Sequence, residues 1–342
     1  LTSSAADDVK LYQTHPQWTA DGKWIVFYSK RSGTAQVFAV NEASGTIVQL
    51  TDGPDTDAFV NRLCLSRKQN RLYFFRGGRG QPARLIQLDL DPLLYPGAAQ
   101  NPAADERVIM ALPADLQISA GGLSLDADER HIYVGVSRDG QPHRSGIRSI
   151  DLATGQLGQV LDVPFRVGHV QGNPWVPGEI LYCDETGGDV PQRMWLTHVG
   201  SAVTQPLYKE TPDEWVTHEV VVQKDHALFI ISGHLPKLRT KPTGMALINL
   251  RTQEMHVIGQ VPGPGFSHCA ASPDLKWAVG DTFAGDLYLI NIATGACTLW
   301  STGHRPKEVH AHQNFSPDGR RLLFASGLLG HAHLMTIELP PQ

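Results

Sequence analysis

The chain has 342 residues, is 41% hydrophobic and 18% charged, and carries a net charge of −5. That composition is normal for a soluble globular protein, and no apolar run approaches the roughly 20 residues that cross a bilayer as a helix, so no membrane partner is expected. The mildly acidic balance gives no reason to expect nucleic acid.

Taken in chain order, one frame recurs: a hydrophobic residue, usually a Ser or Thr, a tight turn often of the Asp-Gly kind, then an apolar strand. Copies stand at 18–28 (WTADGKWIVFY), 65–74 (LSRKQNRLYF), 125–134 (LDADERHIYV), 172–183 (GNPWVPGEILYC), 221–230 (VVQKDHALFI), 271–280 (ASPDLKWAVG) and 315–324 (FSPDGRRLLF). Their first residues are 47, 60, 47, 49, 50 and 44 positions apart. Seven units of about 50 residues have the period of β-propeller blades.

Unit 1 fills in as four strands, THPQWTA, KWIVFYS, AQVFAVNE and TIVQLTD. Unit 6 repeats them as FSHCAAS, KWAVGDT, DLYLINI and CTLWST, whereas unit 7 has only HAHQNFS, RRLLFAS and AHLMTIEL. Helical periodicity is almost absent. The expectation is an all-β chain in which residues 1–342 form a single seven-bladed β-propeller domain. The opening LTSS matches the end of a fourth strand, so an N-terminal strand is expected to close the last blade, with residues upstream of Leu1 completing it. Cys64, Cys183, Cys269 and Cys297 lie far apart with no CxxC pair, which reads as buried thiols and not as a zinc ribbon or disulfide scaffold. No secretory leader is legible, in line with a cytoplasmic location.

The histidines follow the repeat. Three residues before each anchor stand His15, Arg62, Gly122, His169, His218, His268 and His312. Five of these seven positions are histidine in a chain with 15 His in all, far more than chance placement gives. The first strand of a propeller blade lines the central channel, so these side chains are predicted to converge near one mouth. His310 lies two residues before His312, and strand alternation sends both, with Glu308, to one face. Histidines that cap hydrogen bonds between blades are the competing interpretation. Clustered imidazoles disfavour one another's protonation and serve as metal ligands. With carboxylate or amide oxygen the set suits Mn, Fe, Zn or Ni, and ligand type alone does not choose among them.

Loops between the second and third strands open on the same side. They carry Lys30, Arg31, Arg76, Arg79, Arg84, Arg138, Arg144, Arg193, Lys237, Arg239 and Lys241, eleven of the 29 basic residues. A histidine cluster ringed by Arg and Lys suits a small, multiply anionic ligand. Aromatic interleaving of the kind that stacks bases is missing.

HPQWTADGKWIVFYS, GHVQGNPWVPGEILYCDETGGDVPQRMWL, WVTHE, FSHCAASPDLKWAVGD and HAHQNFSPDGRRLLFASG together resemble the motifs of the oligogalacturonate lyase family, in that family's order and over nearly the whole chain. The SPDG turns are shared by many propellers; the HVQ, QR.W, HE, H…VGD and H.H set is more specific. The resemblance implies a seven-bladed propeller lyase that uses manganese, or another divalent metal, held by three histidines and a glutamine. His268, His310 and His312 match the histidines. Lys307 stands where the glutamine is expected, which leaves Glu308 or Gln313 to complete the set. Arg193 matches the proton-abstracting base and His218 a second active-site group, with His218 the simpler base on pKa. His169, Gln171, Lys237, Arg239 and His15 are assigned to substrate binding. The implied reaction is β-elimination on short, 4-linked oligogalacturonides, releasing a 4-deoxy-5-keto uronate. A lyase for a different uronide and a non-catalytic TolB-like binding propeller are the alternatives. A serine-peptidase propeller would need a hydrolase domain with a GxSxG elbow, which the sequence lacks.

Overall fold

A computed structural model describes residues 1–53, 62–78, 81–95, 106–138, 141–186, 190–211, 214–232, 243–304 and 309–339. The described strands form seven antiparallel sheets, six of four strands and one of three, and the architecture is a seven-bladed β-propeller. The strand nearest the axis is Asp8–Lys10 in blade 1, Leu63–Leu65 in blade 2, Leu116–Leu125 in blade 3, Val167–Gly172 in blade 4, Val216–Gln223 in blade 5, Phe266–Ala271 in blade 6 and Asn314–Phe315 in blade 7. Among the described residues the one α-helix is Asp91–Leu94, and no helix is long and apolar enough to cross a membrane.

The recurrent turn explains itself locally. Thr19 Oγ1 donates to Asp21 Oδ1 at 2.6 Å, Ser272 Oγ to Asp274 Oδ1 at 2.7 Å, and Ser316 Oγ to Asp318 Oδ1 at 2.5 Å. Each carboxylate also accepts a backbone N–H two residues on, at Lys23, Lys276 and Arg320. The residue between is left-handed, with φ 70° at Gly22 and Gly319. Glycine adopts that conformation freely. Blades 3 and 6 place Glu129 (φ 58°) and Leu275 (φ 54°) there instead.

Alternation along the strands then joins the blades. In blade 1, Val26 faces blade 2 and packs with Leu63, Leu72 and Phe74, whereas Ile25 and Phe27 face blade 7 and pack with Leu323 and Leu334. A comparable apolar cluster fills each of the other blade junctions, for example Tyr133 with Ile180 between blades 3 and 4, and Leu181 with Phe229 between blades 4 and 5. Fully burying one such side chain contributes about 1.5–3 kcal/mol, so the ring is held mainly by what lies between blades.

Two strand expectations are corrected. The inner strand of blade 1 is not 14–20: Asp8–Lys10 pairs with Phe27–Ser29, a single bridge joins Trp18 to Ile25, and residues 11–16 leave the ladder between them. The inner strand of blade 7 shrinks to Asn314–Phe315. The opening residues do lie on the outer strand of blade 7, His333–Glu338, as expected. Leu1 and Thr2 bond to Leu334, through the Leu1 amino group at 2.8 Å and the Thr2 hydroxyl at 3.0 Å.

Candidate functional site

Four inner strands carry the same irregularity. In blade 4, Gly168 pairs with Cys183 and Gln171 with Leu181, so the inner strand has one extra residue. Blade 5 repeats this between Thr217 and Val220, and blade 6 between Phe266 and Cys269. In blade 7 the bond from Ala325 N–H to Ala311 O and the Asn314–Leu323 pair frame another extra residue. These are β-bulges, which bend a strand and re-aim a side chain. His169, His218 and His312 take the first bulge position, with φ of 45°, 54° and 44°. A non-glycine residue held there costs about 1–3 kcal/mol and persists only where its surroundings enforce it. His268 takes the second position of its bulge.

The bulges bring the rings together. Ring centroids lie 4.1 Å apart for His218 and His268, 4.5 Å for His268 and His312, 5.3 Å for His268 and His310, and 5.6 Å for His310 and His312. One donor atom from each of His268, His310 and His312 lies within 4.8 Å of the others. His310 reaches this cluster from an extended loop, not by the strand alternation expected of 308–313; among those residues, 309–313 form no strand. The donor set fits a divalent metal. The Nδ1–H of His268 is directed at the Asp281 carboxylate at 3.2 Å, leaving Nε2 as its free donor, the usual support for a metal-bound imidazole. Buried Nδ1 of His312 has no hydrogen-bond partner among the described residues. Burial, then the charge of His268, lowers the pKa of both His310 and His312, keeping the imidazoles neutral as ligands must be.

Beside the cluster lies a buried ionic network. Arg193, 2% exposed, directs Nε at Glu219 Oε2 (3.1 Å) and an Nη at Glu185 Oε2 (3.3 Å). Glu219, fully buried, places Oε1 at 2.8 Å from His169 Nδ1. Burial works against the Arg193 charge, but the neighbouring acidic groups Cys183, Glu219 and Glu185 outweigh it, and its pKa is raised. Burial likewise opposes the Glu219 charge, and Arg193 and His169 overcome it, holding the carboxyl well below its usual range. His218 differs: its Nδ1 lies 2.6 Å from Ser267 O, a bond only an Nδ1–H can make, so Nε2 keeps its lone pair. Burial, reinforced by His268 and His169, holds His218 neutral.

Several assigned residues are committed elsewhere. His15 spends both ring nitrogens, Nε2 on Leu123 O (2.9 Å) and Nδ1 on Thr14 Oγ1 (2.9 Å), which makes it a clamp between blades and not a substrate contact. Gln171 donates to Glu219 O and accepts from Val221 N–H, clamping blade 4 to blade 5. Gln313 donates through Nε2 to His268 O at 2.9 Å, whereas its buried Oε1, the atom a metal would take, has no hydrogen-bond partner among the described residues. Among the basic loop residues, Arg31 pairs with Asp8, Arg76 with Glu106 and Arg138 with Asp115, whereas Lys30, Arg84 and Arg144 are exposed. Arg79, Lys237, Arg239, Lys241, Lys307 and Glu308 lie outside the described residues.

The structure also adds residues. The Tyr12 ring packs 4.8 Å from His312 and 5.3 Å from His169, with its hydroxyl 3.5 Å from His169 Nε2. Burial, then Glu219, raises its pKa well above the phenol value. Tyr12 sits three residues before His15, in the excursion that takes the blade 1 strand out of phase with the other blades. Lys10, fully buried, donates to Leu11 O, His312 O and Asn314 Oδ1, tying blade 1 to the bulge of blade 7. A lysine in a predicted non-strand segment gives no sequence signal of this.

No known protein-family profile matches the chain. It is 27% identical over 211 residues to an oligogalacturonate lyase of Dickeya dadantii, an alignment covering 56% of this chain and 54% of that protein. It is 22% identical to an oligogalacturonide lyase of Pectobacterium atrosepticum over 94% of this chain and 87% of that one. Among solved structures, an oligogalacturonate lyase in complex with manganese superposes with a TM-score of 0.84 and 20% identity, covering 99% of this chain and 92% of the other. The chain is a relative of the oligogalacturonate lyases in sequence and shares their fold.

Proposed function

We propose that this relative of the oligogalacturonate lyases is itself a metal-dependent lyase, cleaving short, 4-linked oligogalacturonides of the kind pectin yields by β-elimination. The observation that carries the reading is the convergence of His268, His310 and His312 beside a neutral His218. When bound there, a divalent ion such as Mn²⁺ would neutralise the uronate carboxylate and make the adjacent C5–H more acidic.

The chain's own groups supply the proton transfers. His218 is the base we favour: its Nδ1–H is committed to Ser267 O, and its Nε2 lone pair can take H5. The C5–H electrons become the C4=C5 double bond as the C4–O4 bond breaks and O4 leaves. Tyr12, protonated and partly buried among the histidines, can return a proton to O4. Arg193 is a poor base here, because two carboxylates hold its guanidinium charged and it is almost wholly enclosed. Its role in this reading is to fix Glu219 and Glu185, and through them His169.

The test is product formation from digalacturonate and from unsaturated digalacturonate with Mn²⁺, followed by chromatography. The proposal expects a 4-deoxy-5-keto uronate from the unsaturated dimer. His218→Ala should lower kcat by about 10²–10⁴-fold. Near wild-type turnover in His218→Ala, with Arg193→Lys inactive, would return the base role to Arg193. No cleavage of either dimer with Mn²⁺, Zn²⁺ or Ca²⁺ overturns the substrate. Lys307, where the related enzymes are expected to carry glutamine, then favours a different uronide.

A further inference from the structure

The channel has a second mouth. Beyond the histidine bulges the inner strands run on to their tight turns, and there the described residues enclose a cavity of about 370 Å³. None of His169, His218, His268, His310 or His312 lines it. A polar partition separates the two ends: Lys10 bonds to His312 O and Asn314, Asn314 Nδ2 donates to Gln13 O, and Gln17 Nε2 donates to Tyr12 O and His15 O.

The cavity walls are largely apolar, built from Trp18, Val220, Val222, Ala270, Pro273 and Phe315, and Trp175 stands at the rim 48% exposed. An apolar concavity of this size with a few polar groups is the usual form of a small-molecule site. Two features define the polar part. Arg67 lines the cavity; its backbone N–H bonds to Glu129 Oε1 at 2.7 Å, and its guanidinium feels the Glu129 charge but makes no hydrogen bond or ion pair among the described residues. Gln17 Oε1, on a lining residue 2% exposed, is a buried acceptor with no donor among the described residues. An unmet buried acceptor is costly, so a ligand that donates to it is favoured. A guanidinium seeks an anion, the Gln17 carbonyl seeks a donor, and the walls seek an apolar body.

We propose that this far mouth binds a small organic anion with an apolar body and at least one hydrogen-bond donor, its charged group on Arg67. Neither the lyase reading nor a metal is needed for it.

Anilinonaphthalene sulfonate has all three features and reports binding by fluorescence. Titrated into the intact protein, it should bind saturably at one site and quench tryptophan emission from Trp18 and Trp175. Arg67→Leu should weaken binding about tenfold or more, as loss of a charge-assisted contact does. Val222→Trp, which fills the cavity, should abolish it. Both variants should keep the far-ultraviolet spectrum and the turnover of the wild type. Para-hydroxybenzoate should displace the probe and its methyl ester should not. Binding that does not saturate, or that survives both substitutions, overturns the site; equal displacement by acid and ester overturns the part given to Arg67. If Val222→Trp misfolds, the Arg67→Leu and displacement arms still decide.

Discussion

The Asp281 carboxylate receives both the backbone N–H of His268, at 2.7 Å, and its ring Nδ1–H, at 3.2 Å. One buried acid therefore fixes the main chain and the tautomer of the same histidine. Asp281→Asn should weaken Mn²⁺ binding by about 10–100-fold, the usual effect of removing a ligand's supporting acid. Calorimetric titration of the metal-free protein checks this, and an unchanged affinity would remove His268 from the metal site.

His268→Ala, His310→Ala and His312→Ala should each lose bound metal after Mn²⁺ loading and desalting, because the three imidazoles include no spare. Elemental analysis reads the result. Full retention by all three variants rules the site out.

Tyr12→Phe removes a hydroxyl and little volume. If the phenol protonates O4, kcat should fall about 10²-fold or more with little change in KM. The measurement is steady-state turnover on digalacturonate. A rise in KM at constant kcat would instead make Tyr12 a binding residue.

Glu219→Gln leaves Arg193 buried with its best partner gone and breaks the link to His169. Removing one member of a buried pair costs about 3–5 kcal/mol. Urea denaturation should show that loss, and a midpoint equal to the wild type would mean the network carries little energy.

His15 sets an acid limit on stability. Burial, against the bond to Leu123 O, pushes its pKa down from the ordinary 6.5 to about 4. The folded state therefore holds the ring neutral. Its contribution is complete above pH 6.5 and is lost as pH falls toward 4, in total about 3 kcal/mol. His15→Gln, which can keep a donor for Leu123 O, should flatten this part of the stability profile. Urea midpoints of both proteins from pH 7 to pH 4 test it; parallel curves would show that His15 does not titrate in this way.

Seven blades were legible in the sequence because the Ser/Thr-Asp turn is a local device. Thr19 with Asp21, or Ser316 with Asp318, closes its own turn wherever it stands, and alternating apolar residues then define a strand. The histidine positions were legible for the same reason, since they keep step with those turns. Their aim was not. Bulges at His169, His218 and His312 depend on pairing with the neighbouring strand, and no local preference of histidine announces a left-handed φ. The excursion of residues 11–16 shifted blade 1 out of phase, so that Tyr12 reaches the cluster and His15 becomes a clamp. Composition marked Arg193 as one basic loop residue among many. Only the packed ring, by enclosing it with Glu219 and Glu185 away from water, made it a permanently charged strut and left His218 as the neutral ring beside His268. Turns and strands follow from contacts a few residues apart, whereas tautomer, charge and aim follow from neighbours that only folding brings near.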